Sequence, residues 1–275
     1  MAMKKKNTVK IIILIIFSVI QIFPLLWLIN FSLKNNSEIY TASSLRLPET
    51  PVFGNYAEAW LKGNVAEYFL NSVLVTFVSV AITVALSCMM GYAITRMKWR
   101  GSNAALGFLM LGMMVPIHAT LIPLFLIMQK AGLLNTHWCI IIPYIAAGLP
   151  LAVFIISNFL RSIPHELEEA AFIDGCGVIK SFVHIIIPVL KPAVATVAIF
   201  TFMSNWNEFI MASTYLQTSE LYTLPIGLTA FRGAYSTALG PMAAAIVITC
   251  IPLILFYCIC SEQVEKSFAA GAVLK

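Results

Sequence analysis

Four neighbouring residues, Asn205, Trp206, Asn207 and Glu208, interrupt an otherwise apolar stretch and carry groups able to do chemistry. A carboxylate at membrane depth is costly and is kept where it serves a ligand, an ion or a proton. An indole ring can stack on a flat ligand face, and two amides with a carboxylate can bond hydroxyl groups. Glu208 lies 16 residues beyond Pro192, or about 24 Å along a helix at about 1.5 Å per residue. That distance also allows a plainer reading, in which Glu208 reaches the outer interface and Trp206 anchors there. His118, between Pro116 and Pro123, invites the same comparison: a place on a solute pathway, or a hydrogen bond between helices.

The second informative segment runs from Arg161 to Lys191. Pro164 suits a first helical turn, and Glu166, Glu168 and Glu169 follow where the helix dipole favours negative charge. The pattern predicts a helix to about Asp174, ended by Gly175 and Gly177. A second helix is expected over 178–187, stopping at Pro188. Leu167, Ala170, Ala171 and Asp174 recur at helical spacing and predict one shallow face. Helices that lie on lipid headgroups are usually rich in Lys and Arg. This one is acidic and rich in alanine, so a protein partner is the better expectation.

These segments need elements to hold them. The chain has 275 residues, 60% hydrophobic and 11% charged, against about 25% charged in an ordinary soluble domain. The bilayer must therefore be the solvent for much of it, and the fold class is all-α. Six stretches are long and apolar enough to cross about 30 Å of hydrocarbon: about 11–31, 70–94, 104–128, 138–160, 190–212 and 242–260. The first is longer than a signal-peptide core and is read as an uncleaved span. Pro116 and Pro123 are expected to kink the third.

The basic residues set an orientation. With the N-terminus inside, twelve of the 17 Lys and Arg residues fall inside and five outside. Both termini are then cytoplasmic, and 161–190 is a cytoplasmic loop. The same clustering beside apolar runs accounts for the net charge of +5 without a nucleic-acid partner. The six cysteines show no CxxC spacing and are read as packing residues, with no metal site and no cofactor.

The loop motifs resemble a known family. Glu169-Ala170-Ala171, then Asp174-Gly175, then Phe182, Ile185 and Ile187-Pro188 are similar to the EAA loop of ABC-importer permeases. Cys176 and Ile187 stand where that pattern usually has Ala and Leu. Further stretches, including Asn55-Tyr56, Asn71-Ser72, Gly91-Tyr92-Ala93, residues 132–136, 202–209 and 263–275, are similar to the MalG-like half of maltose-type sugar importers. The resemblance implies one six-helix domain over 1–275 with the type I importer permease fold. It implies that Glu169, Ala170, Ala171, Asp174, Gly175 and Pro188 couple to an ATPase. The implied partners are a second homologous permease, an ATPase dimer and an extracytoplasmic sugar-binding protein, in a bacterial cell membrane. Asn205, Trp206, Asn207 and Glu208 are then the candidate solute pathway.

The chain has no GxxxxGK[ST] loop, no HExxH and no GxSxG, so ATP hydrolysis is expected of another subunit. The competing classes are an importer of a non-sugar solute, an independent secondary transporter and a lipid-modifying membrane enzyme. The last needs clustered intramembrane carboxylates or histidines, which the sequence lacks.

Overall fold

The computed structural model describes residues 2–41, 45–97, 99–231 and 238–273. Lys98, Arg232 and Lys275, three of the charges used for orientation, lie outside them. The helices are α1 (Ala2–Ser32), α2 (Asn36–Thr41), α3 (Gly54–Leu61), α4 (Val65–Thr95), α5 (Ser102–Met114), α6 (Leu121–Lys130), α7 (Trp138–Ser162), α8 (Glu166–Ile173), α9 (Val178–Ser181), α10 (Ile187–Val189), α11 (Lys191–Trp206), α12 (Ile210–Tyr215), α13 (Leu224–Gly227) and α14 (Leu239–Val273). No strand occurs among the described residues, as expected where lipid offers no partner to an open sheet edge.

Four helices are long and apolar enough to span a membrane unaided: Lys10–Ser32, Val65–Thr95, Trp138–Ser162 and Leu239–Glu265. Two more candidates are bent pairs. α5 meets Ile117–Lys130 at 89°, and Val178–Val189 meets α11 at 73°. The first break is local steric chemistry. Val115 precedes a proline and is extended (φ −81°, ψ 116°), as is Pro116 itself, because the proline ring disfavours helical backbone before it. So the stretch 104–128 is two helices set nearly at right angles.

The second break corrects another expectation. Pro188 does not stop its helix; the turn comes at Leu190 (φ −72°, ψ −5°). Proline has no N–H to offer the carbonyl four residues back. The chain meets that deficit with a π-turn over Phe182–Ile186, in which the Ile187 N–H reaches the Phe182 carbonyl. Such turns absorb a backbone mismatch without ending a helix.

Contacts gather into two units. One comprises the chain up to Glu67 together with 227–251; the other comprises 68–226 and the chain from Pro252 onward. In the first, the Asn55 amide is buried and donates to the Ser32 and Lys34 carbonyls, both at 2.8 Å. Tyr56 and Ser32 share a hydroxyl bond of 2.7 Å. These bonds fold the segment after α1 back on itself. α1 is exposed along most of its length within this chain, and its apolar surface all round suits lipid.

In the second unit α4 and α7 pack closely. Ser72, Thr76, Ser79, Thr83 and Ser87 form a buried stripe of small side chains on α4, the type of surface that lets membrane helices approach. Glycines mark the seam. A Cβ on Gly91 would stand 2.7 Å from Ile156 Cγ2, and one on Gly148 would stand 3.4 Å from Thr83 Cγ2. One apolar cluster fills the region of Val75, Ile140, Tyr144 and Tyr215. Another fills that of Tyr92, Ile156, Leu160, Ile186 and Leu190.

The two glycines should respond differently. Gly91→Ala must displace Ile156 and is expected to cost about 1–3 kcal/mol. Gly148→Ala meets only an ordinary contact and gains helix propensity, so it should be near neutral. The midpoints of thermal unfolding in detergent check the order.

Candidate functional site

Two features bring chemistry-bearing residues together, both within the second unit. The first is built around α8. Ile163 is extended before Pro164 (ψ 128°), and the chain re-enters a helix at Glu166. The residues that turn inward are Glu168 and Ala171, both buried. Glu166, Leu167, Glu169, Ala170, Phe172, Ile173 and Asp174 face outward. The single exposed face expected through Leu167, Ala170, Ala171 and Asp174 is therefore corrected: three of them are exposed and Ala171 is buried.

Gly175 ends the helix as expected. Its φ is +81°, in the left-handed region that suits glycine. The Gly175 N–H donates to the Phe172 carbonyl at 3.0 Å and the Cys176 N–H to the Ala171 carbonyl at 2.9 Å. That pair is a Schellman cap, which satisfies carbonyls the helix leaves open. The chain then starts α9 and presents Val178, Ile179 and Val183 to the outside. Ile173 is 86% and Ile179 80% exposed. Leu167, Phe172, Ile173, Val178, Ile179 and Val183 are all exposed large apolar side chains, interspersed with the exposed Glu166 and Glu169 on α8 and Asp174 just after it. Exposed apolar surface rimmed by charge marks a protein or membrane contact.

Beneath α8 lies an arrangement the sequence reading missed. Arg96, just past the end of α4, is paired with Glu168: Nε stands 3.2 Å from Oε2, and the two side chains are 3% and 6% exposed. The Tyr92 hydroxyl donates to Glu168 Oε1 at 2.7 Å. Arg96 Nη2 donates to the Leu160 and Ile163 carbonyls, each at 2.7 Å. These carbonyls close the C-terminus of α7, where a cation is favoured. The available signal was Tyr92 four residues before Arg96 at the end of an apolar run; nothing in the sequence says which of three acids answers it.

The second feature is a cavity of about 600 Å³ enclosed by α5, the turn at Ile117, α7 and α11. Most of its wall is apolar or glycine, including Gly112, Val115, Pro116 and Gly148; Tyr144, Thr201, Ser204, Asn205 and Glu208 supply polar groups. Glu208 accepts from the Tyr144 hydroxyl at 2.6 Å and from the Met211 and Ala212 N–H groups at 2.7 and 3.0 Å. It therefore caps α12 while lining the cavity, and three donors hold its carboxylate in place. Asn205 is half-buried, and its Nδ2 has no hydrogen-bond partner among the described residues.

The other two members of the expected constellation lie elsewhere. Trp206 is 1% exposed; its ring stacks on Phe202 at 5.4 Å and meets Phe69 edge-on at 5.9 Å. It is a packing residue with no face toward the cavity, which corrects the expected stacking role. Asn207 is exposed and donates back to the Met203 carbonyl at 2.8 Å. The reason is angular: residues 205 and 206 point about 100° apart on a helix. His118 is exposed in the turn at Ile117–Thr120. No group of three or more metal-ligating side chains occurs among the described residues.

The fold defines a polytopic all-α membrane protein with an exposed loop at α8 and α9. Residues 83–266 match the family described as binding-protein-dependent transport system inner membrane components, and the chain belongs to that family. It is thus an ABC-transporter permease of the multi-pass inner-membrane type, a transport subunit rather than an enzyme. It is 35% identical over 94% of its length, and 86% of the relative, to the diacetylchitobiose uptake system permease protein NgcG of Streptomyces coelicolor. It is 31% identical to the melibiose/raffinose/stachyose import permease protein MelC of Bacillus subtilis, over 91% of this chain and 90% of that one. Among solved structures, a bacterial ABC transporter that imports the acidic polysaccharide alginate superposes with a TM-score of 0.82 at 22% identity, covering 94% of this chain and 96% of that one. The last likeness speaks to fold alone.

The Glu208 cap gives a graded prediction. Glu208→Gln leaves at least one of three donors without an acceptor and should cost about 1–3 kcal/mol. Tyr144→Phe removes one donor, leaves both N–H bonds, and should cost less. Thermal unfolding of the purified protein in detergent reads both.

Proposed function

We propose that this chain is one permease half of an ATP-driven carbohydrate importer. The observation that carries the reading is the exposed apolar and acidic face of α8 and α9, fixed by the Gly175 cap at the ends of the spans. Such a face has no use in an independent transporter, whereas an ATPase subunit arriving from the cytoplasm supplies a surface to cover it. Relatives named for diacetylchitobiose and for melibiose, raffinose and stachyose, and one named for trehalose, support a sugar as cargo.

In this reading Glu169, Ala170, Asp174, Gly175 and the exposed Pro188 belong to the surface that meets the ATPase, which alone binds ATP, and the buried Ala171 supports it from behind. Closure of the ATPase dimer presses on α8, and the spans alternate between their two openings. The chain supplies one wall of the pathway, a second homologous permease the other, and an extracytoplasmic binding protein delivers the sugar. The Asn205 amide, the Thr201 and Ser204 hydroxyls and the Glu208 carboxylate offer a sugar both donors and acceptors. The excess of Lys and Arg on the α8 side supports a cytoplasmic location for that loop and for both termini.

Affinity purification of the tagged chain from native membranes in mild detergent tests this, with Gly175→Asp beside the wild type. An ATPase and a second permease should accompany the wild type and be lost from the variant, which adds a further acid to the docking face. Cells lacking the chain should lose uptake of a radiolabelled disaccharide or oligosaccharide from a defined panel. A wild-type chain purified alone, with no sugar uptake lost, contradicts the proposal.

A further inference from the structure

We infer that Arg96 is a positioning residue for coupling: its buried pair with Glu168 makes α8 move as one body with the adjoining ends of α4 and α7. The inference rests on the proposal that α8 receives the ATPase, and it adds which spans take the load.

The connections of α8 along the chain cannot do this alone. It follows α7 through a three-residue link, 163–165, whose first residue is extended. It is followed by Asp174–Gly177, which holds the left-handed Gly175. An eight-residue helix has little stability of its own and takes its orientation from what it buries. α8 buries only Glu168 and Ala171. A methyl group fixes no direction, whereas the Glu168 carboxylate accepts a hydrogen bond from the Tyr92 hydroxyl on Oε1 and stands in ion-pair contact with Arg96, whose Nε is 3.2 Å from Oε2 without hydrogen-bond geometry. Arg96 is in turn held to α7 through the Leu160 and Ile163 carbonyls. The Tyr92 ring packs on Phe182 at 4.8 Å, so the start of the π-turn meets the same point.

The consequence is directional. α7 carries Tyr144, Gly148, Leu151 and Ala152 of the cavity wall. A push on α8 passes through the guanidinium into α7 and so reaches that wall, while α11 lies beyond the 73° bend at Leu190. Without the pair, α8 can tilt under load and hydrolysis proceeds without moving the wall.

The test uses the whole importer, with ATPase and second permease co-expressed and purified into proteoliposomes. The readout is solute moved per ATP hydrolysed when substrate-loaded binding protein is present. Glu168→Gln strands a buried guanidinium, and the ratio should fall on the order of tenfold. The double variant Arg96→Met with Glu168→Met removes both charges and restores a neutral, packed site. It should recover wild-type thermal stability and co-purification with the ATPase, yet keep the reduced ratio. Recovery of the ratio together with stability would overturn the inference, because packing alone would then suffice. An ATPase absent from the wild-type preparation would overturn the docking proposal itself, and this inference with it.

Discussion

A guanidinium withdrawn from water at the end of α4 sets the terms for the rest of the structure. A buried guanidinium charge must be answered inside the protein. Glu168 answers it, and the two closing carbonyls of α7 share it. Four elements are fixed by that requirement: the end of α4, the end of α7, α8, and the π-turn that touches Tyr92. Buried pairs of this kind are weak evidence of stability, because desolvation offsets most of the attraction. Their value is geometric. The Nη2 bonds fix the guanidinium against the end of α7, and the Tyr92 hydrogen bond together with the ion-pair contact at Nε ties Glu168, and with it α8, to that point. A helix proposed to present Ile173 to another protein needs that positioning more than it needs stability.

The backbone breaks complement the clamp. At Val115–Pro116 and at Leu190 the chain gives up helical continuity, and both breaks adjoin elements that wall the cavity. Irregular backbone at membrane depth is tolerated where protein or a water-filled space receives it. The cavity thus has continuous helix on the α7 side and interrupted helix on the others. Glu208 uses a third interruption: the chain leaves α11 at Trp206 and restarts at Ile210, and the carboxylate bridges the gap by capping α12. A carboxylate in a largely apolar wall is thereby held in position on the same cavity as Asn205, whose Nδ2 has no hydrogen-bond partner among the described residues.

Much of this was legible in the sequence, for definite reasons. Apolar run length reports spans because the bilayer thickness is fixed, and the family showed itself through the spacing of the α8 loop. Gly175 was readable because only a left-handed cap explains glycine after an acidic, alanine-rich turn. What failed to show were choices between near-equivalent neighbours. Glu166, Glu168 and Glu169 look alike along the chain, and a rotation of one residue decides which meets Arg96. Trp206 and Asn205 differ by the same step, and the indole went to Phe202 and Phe69 while the amide went to the cavity. Pro188 marked a stop by its own chemistry, and the π-turn removed the need for one. The first two outcomes depend on partners distant in sequence, Arg96 for Glu168 and Phe69 for Trp206; the third depends on a local turn whose hydrogen bond skips one residue more than a helix does.

The claim that α8 is fixed to the ends of α4 and α7 is tested most directly by a distance. Spin labels at Ile173 on α8 and at Met97 beyond α4, in a chain freed of reactive cysteines and assembled with its ATPase, would be measured by pulsed dipolar spectroscopy with and without trapped nucleotide. The account predicts one narrow distance, unchanged between the two states, while a label pair across the cavity, Thr120 to Ser204, shifts. A distance between α8 and α4 that broadens or moves when nucleotide binds would contradict it.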